Sequence, residues 1–253
     1  MAQKILEAKN ITLRFGGLEA LNGLSFTVDP GQIVSLIGPN GAGKTTLLNA
    51  ITGVYSLDSG DILFQGKSIA RRKTHQIAAL GVHRTFQQSQ LFHDLTVLEN
   101  VMVGMHPKTK SGFWGGVLHL PKEREEERET MERAELLLDF LGLMTKAAHP
   151  ANQISIADQR RLEIARALAG DPELLLLDEP VAGLNIRETE GLGDLILKLK
   201  GKGQTIVLVE HNMHLVMGIS DHLIVLHHGS KIGEGRPAEI QKDARVIEAY
   251  LGR

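Results

Sequence analysis

Two short stretches carry most of the chemistry in this chain. The first, "GPNGAGKTT", runs from Gly38 through Pro39, Asn40, Gly41, Ala42, Gly43, Lys44 and Thr45 to Thr46. It follows the strand-like "IVSLI" and precedes the helical "LLNAITG". This is G-x-x-x-x-G-K-T in the setting its chemistry requires. Glycines let successive backbone N–H groups turn toward phosphate oxygens, and a helix N-terminus adds partial positive charge. Lys44 would bridge the β and γ phosphates of a nucleoside triphosphate, and the Thr45 hydroxyl would bind Mg²⁺. The second stretch, "LLLLDEP", delivers Asp178 and Glu179 together at a strand end. Asp178 is suited to hold Mg²⁺, directly or through water, and Glu179 to polarise an attacking water as general base.

Two further polar residues fall where buried strands are expected to end, where ligands gather in parallel sheets. Gln87 follows "GVHRTF" and would touch Mg²⁺ or the water; His211 follows "TIVLV" and would hydrogen-bond a γ phosphate. A second anion-binding turn is written into "ISIADQRR", Ile154 to Arg161. Ser155 and Asp158 fit S-x-x-D capping, which aims the backbone amides of a helix start at something negative. One phosphate group rarely needs two cradles from one chain.

The elements that must position these residues form an α/β chain. Strand-like "ITLRF", "LSFTV", "QIVSLIG" and "GDILFQG" open it. Later, "ELLLLDEP", "QTIVLVEH" and "HLIVLHHG" alternate with helical stretches, as buried parallel strands do. From Leu95 to about Ala148 the pattern is helical, and "KEREEERETMERAELLLDFLGL" places Met131, Ala134, Leu138 and Leu141 on one face. The Gly-rich "HPKTKSGFWGGVLHLPK" with Trp114 reads as a mobile or partner-facing loop.

Composition narrows the partners. Twenty-eight Lys and Arg against thirty Asp and Glu leave a net charge of −2, so no global basic field favours nucleic acid or lipid. With no cysteine, disulfides, thiolate metal sites and cysteine nucleophiles are excluded. The opening "MAQKILEAKNITLRF" has no apolar stretch ahead of a cleavage site, and the aliphatic runs are strand-sized. The expectation is a protein that is neither secreted nor spans a bilayer by itself.

Taken in order, Phe15, "GPNGAGKTT", "TFQQ", a helical insert, "RRLEIARALAGDPELLLLDEPVAGLN" and "VEHN" resemble the nucleotide-binding subunit of ABC transporters over nearly the whole chain. "LTVLENVMVG", "HHGSKIGEG" and "VIEAYLG" are similar to the ATPase subunits of branched-chain amino acid importers. The resemblance implies a P-loop NTPase core with an N-terminal antiparallel β subdomain and a helical insertion. As one ABC ATPase domain, 1–253, it would divide into a core of 1–93 and 159–253 and a helical subdomain of 94–158. It further implies ATP and Mg²⁺ as ligands, Phe15 stacked on adenine, and a peripheral place on the cytoplasmic face of the plasma (inner) membrane. Membrane permease subunits would dock near Gln87 to Leu95 and the helical insert.

The second cradle is accounted for by the same resemblance. Ser155 and Ala157 would meet the γ phosphate of an ATP held by the phosphate loop of a second ABC ATPase subunit, like or unlike, packed head to tail. Gly183 to Asn185 match the loop that crosses to that subunit, with Asn where Asp is common. The segment departs from the superfamily pattern L-S-G-G-Q, since Ile156 and Ala157 stand at the glycines and Asp158 at Gln. Alanine is at home in a first helical turn, but its methyl reduces clearance. Asp158 either reaches back as a capping acid or repels the phosphate. ATP is still expected to close the dimer. Three other readings remain: a soluble ABC ATPase acting on nucleic acid or ribosomes, a P-loop kinase, and an inactive binding subunit.

Overall fold

The computed structural model describes residues 3–85, 91–105 and 121–251. Two strands, β1 (Leu6–Phe15) and β2 (Leu18–Val28), open the chain, and β3 (Ile33–Ile37) then leads into α1 (Lys44–Ile51). Next come β4 (Ser59–Phe64), β5 (Lys67–Ser68), α2 (Thr74–Ala79) and β6 (Val82–Arg84). The helices α3 (Val97–Met105), α4 (Pro121–Phe140) and α5 (Ile156–Leu168) follow. The second half alternates: β7 (Leu174–Asp178), α6 (Ile186–Gly201), β8 (Thr205–Val209), α7 (Met213–Ile219) and β9 (His222–His227). β10 (Ser230–Gly235), α8 (Pro237–Ile240) and α9 (Ala244–Leu251) complete it.

Two sheets result. The first has the order β2-β1-β4-β5 and is antiparallel throughout. The second has the order β10-β9-β3-β8-β7-β6. Its strands β9, β3, β8, β7 and β6 run parallel, and β10 closes one edge in the antiparallel sense. β1 and β2 extend well beyond "ITLRF" and "LSFTV", because the polar residues preceding each apolar run still pair across the sheet.

The unbroken apolar runs of the second sheet follow from burial on both faces. Val34, Leu36, Leu174, Leu176, Val207 and Val209 face the core shared with the antiparallel sheet and α1. Their alternates Ile33, Leu175, Leu177, Ile206 and Leu208 face the other way and pack with α3, α4, α5 and α6. A period of two thus survives inside these runs, although Ser35 is the one polar residue in the interior of β3, β7 and β8. The helical insert joins this second core through Ala134, Leu138 and Leu141, all buried. Met131, expected on that same face, is instead 39% exposed, since the helix leaves the core one turn earlier.

No helix among the described residues is long and apolar enough to cross a membrane. The strands that lead to Gly38, Asp178 and His211 are anchored through this two-sided core. Leu177, fully buried and directly before Asp178, is the tightest such anchor. Leu177→Ala is expected to destabilise the fold by about 2–5 kcal/mol, read from denaturant unfolding monitored by circular dichroism.

Candidate functional site

β3, β8 and β7 are neighbours in the sheet and parallel, so their carboxyl ends open on the same edge. Register makes the convergence specific: Val209 lies opposite both Leu36 and Asp178. The loop 38–43 therefore emerges beside Glu210 and His211 on one side, with Asp178 and Glu179 just beyond.

The loop needs its glycines for space. A Cβ on Gly38 would lie 2.2 Å from the Leu226 carbonyl oxygen, and one on Gly43 would lie 2.7 Å from the Ala20 carbonyl oxygen. Gly43 is also left-handed, at φ 100°. The same approach brings the β1–β2 hairpin against the loop. Lys44, 7% exposed, folds back over the loop and donates to the carbonyls of Gly38 (2.7 Å) and Pro39 (3.0 Å). Burial lowers its pKa, against the pull of the carboxylates of Glu179 and Asp178. α1 begins at Lys44 with no side-chain cap and no acid in its first turn, so its amides remain available to an anion. Thr45 is exposed at that start and Thr46 partly so.

Asp178 is 1% exposed. Its Oδ2 accepts from Arg84 Nη2 at 2.7 Å, and Oδ1 is buried with no hydrogen-bond partner among the described residues. Burial pushes its pKa up, while the hydrogen bond and charge of Arg84 work the other way. Glu179 takes a left-handed backbone at φ 48°, unusual for a residue with a side chain, and its N–H donates to the Val209 carbonyl at 2.9 Å. His211 Nδ1 lies 3.5 Å from Glu179 Oε1. Lys44, Asp178, Glu179 and His211 are thus brought together. Phe15 is no core residue: it is 46% exposed at the hairpin end, with the Tyr55 ring edge-on at 5.0 Å. Gln87 lies outside the described residues.

Ser155 and Ala157 belong to a different part of the molecule. They open α5, and Ser155 is its N-cap, accepting from the Asp158 N–H at 3.2 Å. Among the described residues no hydrogen bond joins Ser155 to the phosphate loop. Arg160, one turn along, donates to Glu163 (3.0 Å) and to the Ala182 carbonyl (3.4 Å), which ties this helix to the loop after the acidic pair. In that loop the Asn185 side chain caps α6, accepting from the Glu188 N–H at 3.0 Å.

The sequence reading missed three residues here. Arg84, on the strand before Gln87, bridges Asp178 and Asn49 Oδ1, the latter at 2.6 Å. Glu210, 1% exposed, accepts from the N–H groups of Val181, His211 and Asn212 and so joins the two strand-end turns. Burial raises its pKa despite those three amides. Asn100, fully buried, accepts from the Phe92 N–H and donates to the carbonyls of Phe92 and Thr96, pinning the segment that leads into α3. All three are polar residues adjoining apolar runs, a signal too common to separate them from surface positions.

A strand-to-helix phosphate loop beside a buried Asp-Glu pair fits one large class of nucleotide-binding proteins, and sequence comparison narrows it. The family described as ABC transporter matches residues 21–182, and that described as branched-chain amino acid ATP-binding cassette transporter matches 230–253. The chain belongs to the ABC transporter family. As an ABC cassette it is an ATP-binding and ATP-hydrolysing subunit. It is 45% identical over 253 residues to the high-affinity branched-chain amino acid transport ATP-binding protein LivG of Escherichia coli (strain K12), covering 100% of this chain and 99% of that one. BraF of Pseudomonas aeruginosa, of the same description, matches at 45% with the same coverage. A nucleotide-free ATP-binding cassette from an ABC transporter superimposes with a TM-score of 0.86 at 34% identity, covering 99% of this chain and 100% of that one. A dimeric post-hydrolysis cassette bound to ADP and Pi gives 0.77 at 28% identity, covering 92% and 98%. The reading as a clamp on nucleic acid or ribosomes finds no support among these ABC relatives.

The Arg84–Asp178 pair makes this site testable without nucleotide. Both side chains are buried, at 5% and 0% exposure, so removing one partner leaves an uncompensated charge. Arg84→Met is expected to cost about 3–5 kcal/mol of stability, and adding Asp178→Asn should recover much of that loss in chemical denaturation of the nucleotide-free protein.

Proposed function

We propose that this chain is the ATP-hydrolysing subunit of an importer for branched-chain amino acids or related small polar solutes, working as one of two cassettes at the cytoplasmic face of the membrane. The observation that carries this reading is identity at 45% along the full length of transport ATP-binding proteins of that description, in a chain that retains Lys44, Asp178, Glu179 and His211. The lobes would be 1–93 with 159–253, and 94–158.

The phosphate loop would hold the β and γ phosphates on its amides, with Lys44 leaving the Gly38 and Pro39 carbonyls to reach them. Phe15 and Tyr55 would offer the adenine an aromatic surface. Thr45 and Asp178 suit Mg²⁺, because that ion is ordinarily held by one or two carboxylates with phosphates and water completing its shell. Among the described residues the buried Oδ1 of Asp178 has no hydrogen-bond partner and is an acceptor of the right kind, and no protein-only cage of acids and histidines exists there. When bound, Mg²⁺ supplies charge neutralisation at the phosphates. Glu179 would accept the proton of the attacking water as its oxygen bonds to the γ phosphorus and the β–γ bridge breaks. His211, next to Glu179, would donate to the γ phosphate. Gln87 keeps the role the resemblance implies.

Pairing head to tail is supported by the separation of the two cradles on different elements of one chain. It is also supported by two exposed apolar residues, Ile156 at the start of α5 and Ile186 at the start of α6. For the membrane subunits, a groove of about 500 Å³ lies between α2 and β6 on one side and α3 and α5 on the other. Val54, Phe92 and Val103 line it and are 50%, 50% and 40% exposed, and Arg166 sits 5.7 Å over the Phe92 ring. An apolar, open-sided groove reaching Arg84 suits a short helix of a permease.

Glu179→Gln should bind Mg·ATP as the parent does while turnover falls by about 10²–10⁴-fold, measured by phosphate release beside equilibrium nucleotide binding. Turnover at the parent rate would refute the general-base assignment. Affinity capture of the intact chain from membranes should recover two polytopic subunits and a second cassette; capture of ribosomes or DNA instead would refute the transport reading.

A further inference from the structure

The turn that would complete a partner's ATP site is already satisfied from within its own chain. A serine hydroxyl has one proton to give and two lone pairs. Ser155 gives its proton to Asp158 Oδ2 at 2.6 Å and accepts the Asp158 N–H at 3.2 Å. Lys146, in the short turn after α4, reaches the same Oδ2. Asp158 thus turns to the hydroxyl of Ser155 and to Lys146, where a capping-box acid would take the Ser155 amide. It is 6% exposed although it sits in the first turn of an accessible helix start. A triphosphate is an acceptor only, so it needs the proton that Asp158 holds.

We infer that Asp158 and Lys146 form a latch that withholds the Ser155 hydroxyl from phosphate, which makes the composite site completed by this chain's α5 the weaker one. Hydrogen bonds to a carboxylate are roughly twice as strong as neutral ones. An amide side chain in this position would donate to Ser155 Oγ and leave the serine proton free. Lys146 keeps the carboxylate turned inward and balances its charge, so Asp158 neither faces the phosphate as a bare anion nor lets go of the hydroxyl. Burial opposes ionisation of Asp158, yet the hydrogen bonds from Lys146 and Ser155 hold its pKa below the ordinary carboxylate value. The phosphate loop of this same chain has no such carboxylate bond: among the described residues the hydrogen bonds of Lys44 go to two backbone carbonyls. Paired with an unlike cassette, the chain would therefore build two unequal ATP sites. Asp158 and Lys146 act through Ser155 and are positioning residues.

The inference rests on the shared-site reading, and the test separates the two. In a Glu179→Gln background, full-length chains are titrated with Mg·ATP and their association followed by sedimentation velocity, with ADP binding to the monomer measured alongside. Asp158→Gln and the isosteric Asp158→Asn should each lower the ATP concentration for half-association at least tenfold, and ADP affinity should change less than twofold. Lys146→Met should raise that concentration, and Lys146→Met with Asp158→Gln should return to the Asp158→Gln level. Loss of fold cannot mimic tighter association. Association of the background chain that neither Asp158 variant tightens overturns the latch alone. Chains that bind ATP but stay monomeric in every variant overturn the shared-site reading together with it.

Discussion

Everything chemical in this protein depends on one constraint: strands buried on both faces can place polar groups only at their ends. β3, β7 and β8 contain almost nothing that water would hold, so their rigidity comes from packing in two cores at once. The first residues beyond that packing are Gly38, Glu179 and Glu210, and each begins a turn whose backbone is fixed by neighbours on adjacent strands. The Glu179 amide is bonded to Val209, and the Glu210 carboxylate holds the amides of Val181, His211 and Asn212. The site is a seam where three strand ends are stitched to one another, and the precision that phosphate chemistry demands is inherited from the sheet.

Much of this was legible in the sequence, for definable reasons. The phosphate loop and the Asp-Glu pair are legible because their spacing has few other physical uses, and the adjoining four-residue aliphatic runs have no plausible place outside a covered parallel sheet. Arg84 was not legible: one arginine between a histidine and a threonine looks like a surface residue until the topology lays β6 beside β7. Glu210 was hidden for the same reason, since a strand-end acid next to His211 draws notice to the histidine. The length of α4 and its charge were readable, but the point at which it leaves the core was not, because Met131 continues the apolar period into solvent. Pairing across elements is settled by three-dimensional register, which local periodicity does not encode.

The same contrast explains why the segment at Ser155 was harder to interpret than the loop at Gly38. Capping of α5 by Ser155 follows directly from S-x-x-D, and the structure has it. The direction of the Asp158 carboxylate depends on Lys146, twelve residues earlier in a different turn, and nothing in the local pattern points there. A substitution at a functional motif can thus carry its compensation at a distance. An alignment to L-S-G-G-Q alone registers the loss of an amide without registering the lysine that balances the new charge.

The polar and charged groups of both cradles have partners within the chain. Lys44 is held by two carbonyls, Asp178 by Arg84, and Ser155 by Asp158. If these groups take the roles proposed above, nucleotide binding is an exchange of partners, and its driving force is the difference between two sets of hydrogen bonds and not the sum of the new ones. Neutral bonds typically contribute about 0.5–1.5 kcal/mol net and those to charged groups about 1.5–3 kcal/mol. Giving up carbonyls for a triphosphate would then be favourable at Lys44, where neutral partners would be traded for charged ones. At Ser155, on the shared-site reading proposed above, one anionic acceptor would be traded for another, and the gain would be small. Two sites built from the same fold can in this way differ in affinity without differing in shape, because what separates them is the quality of the bonds each must first release.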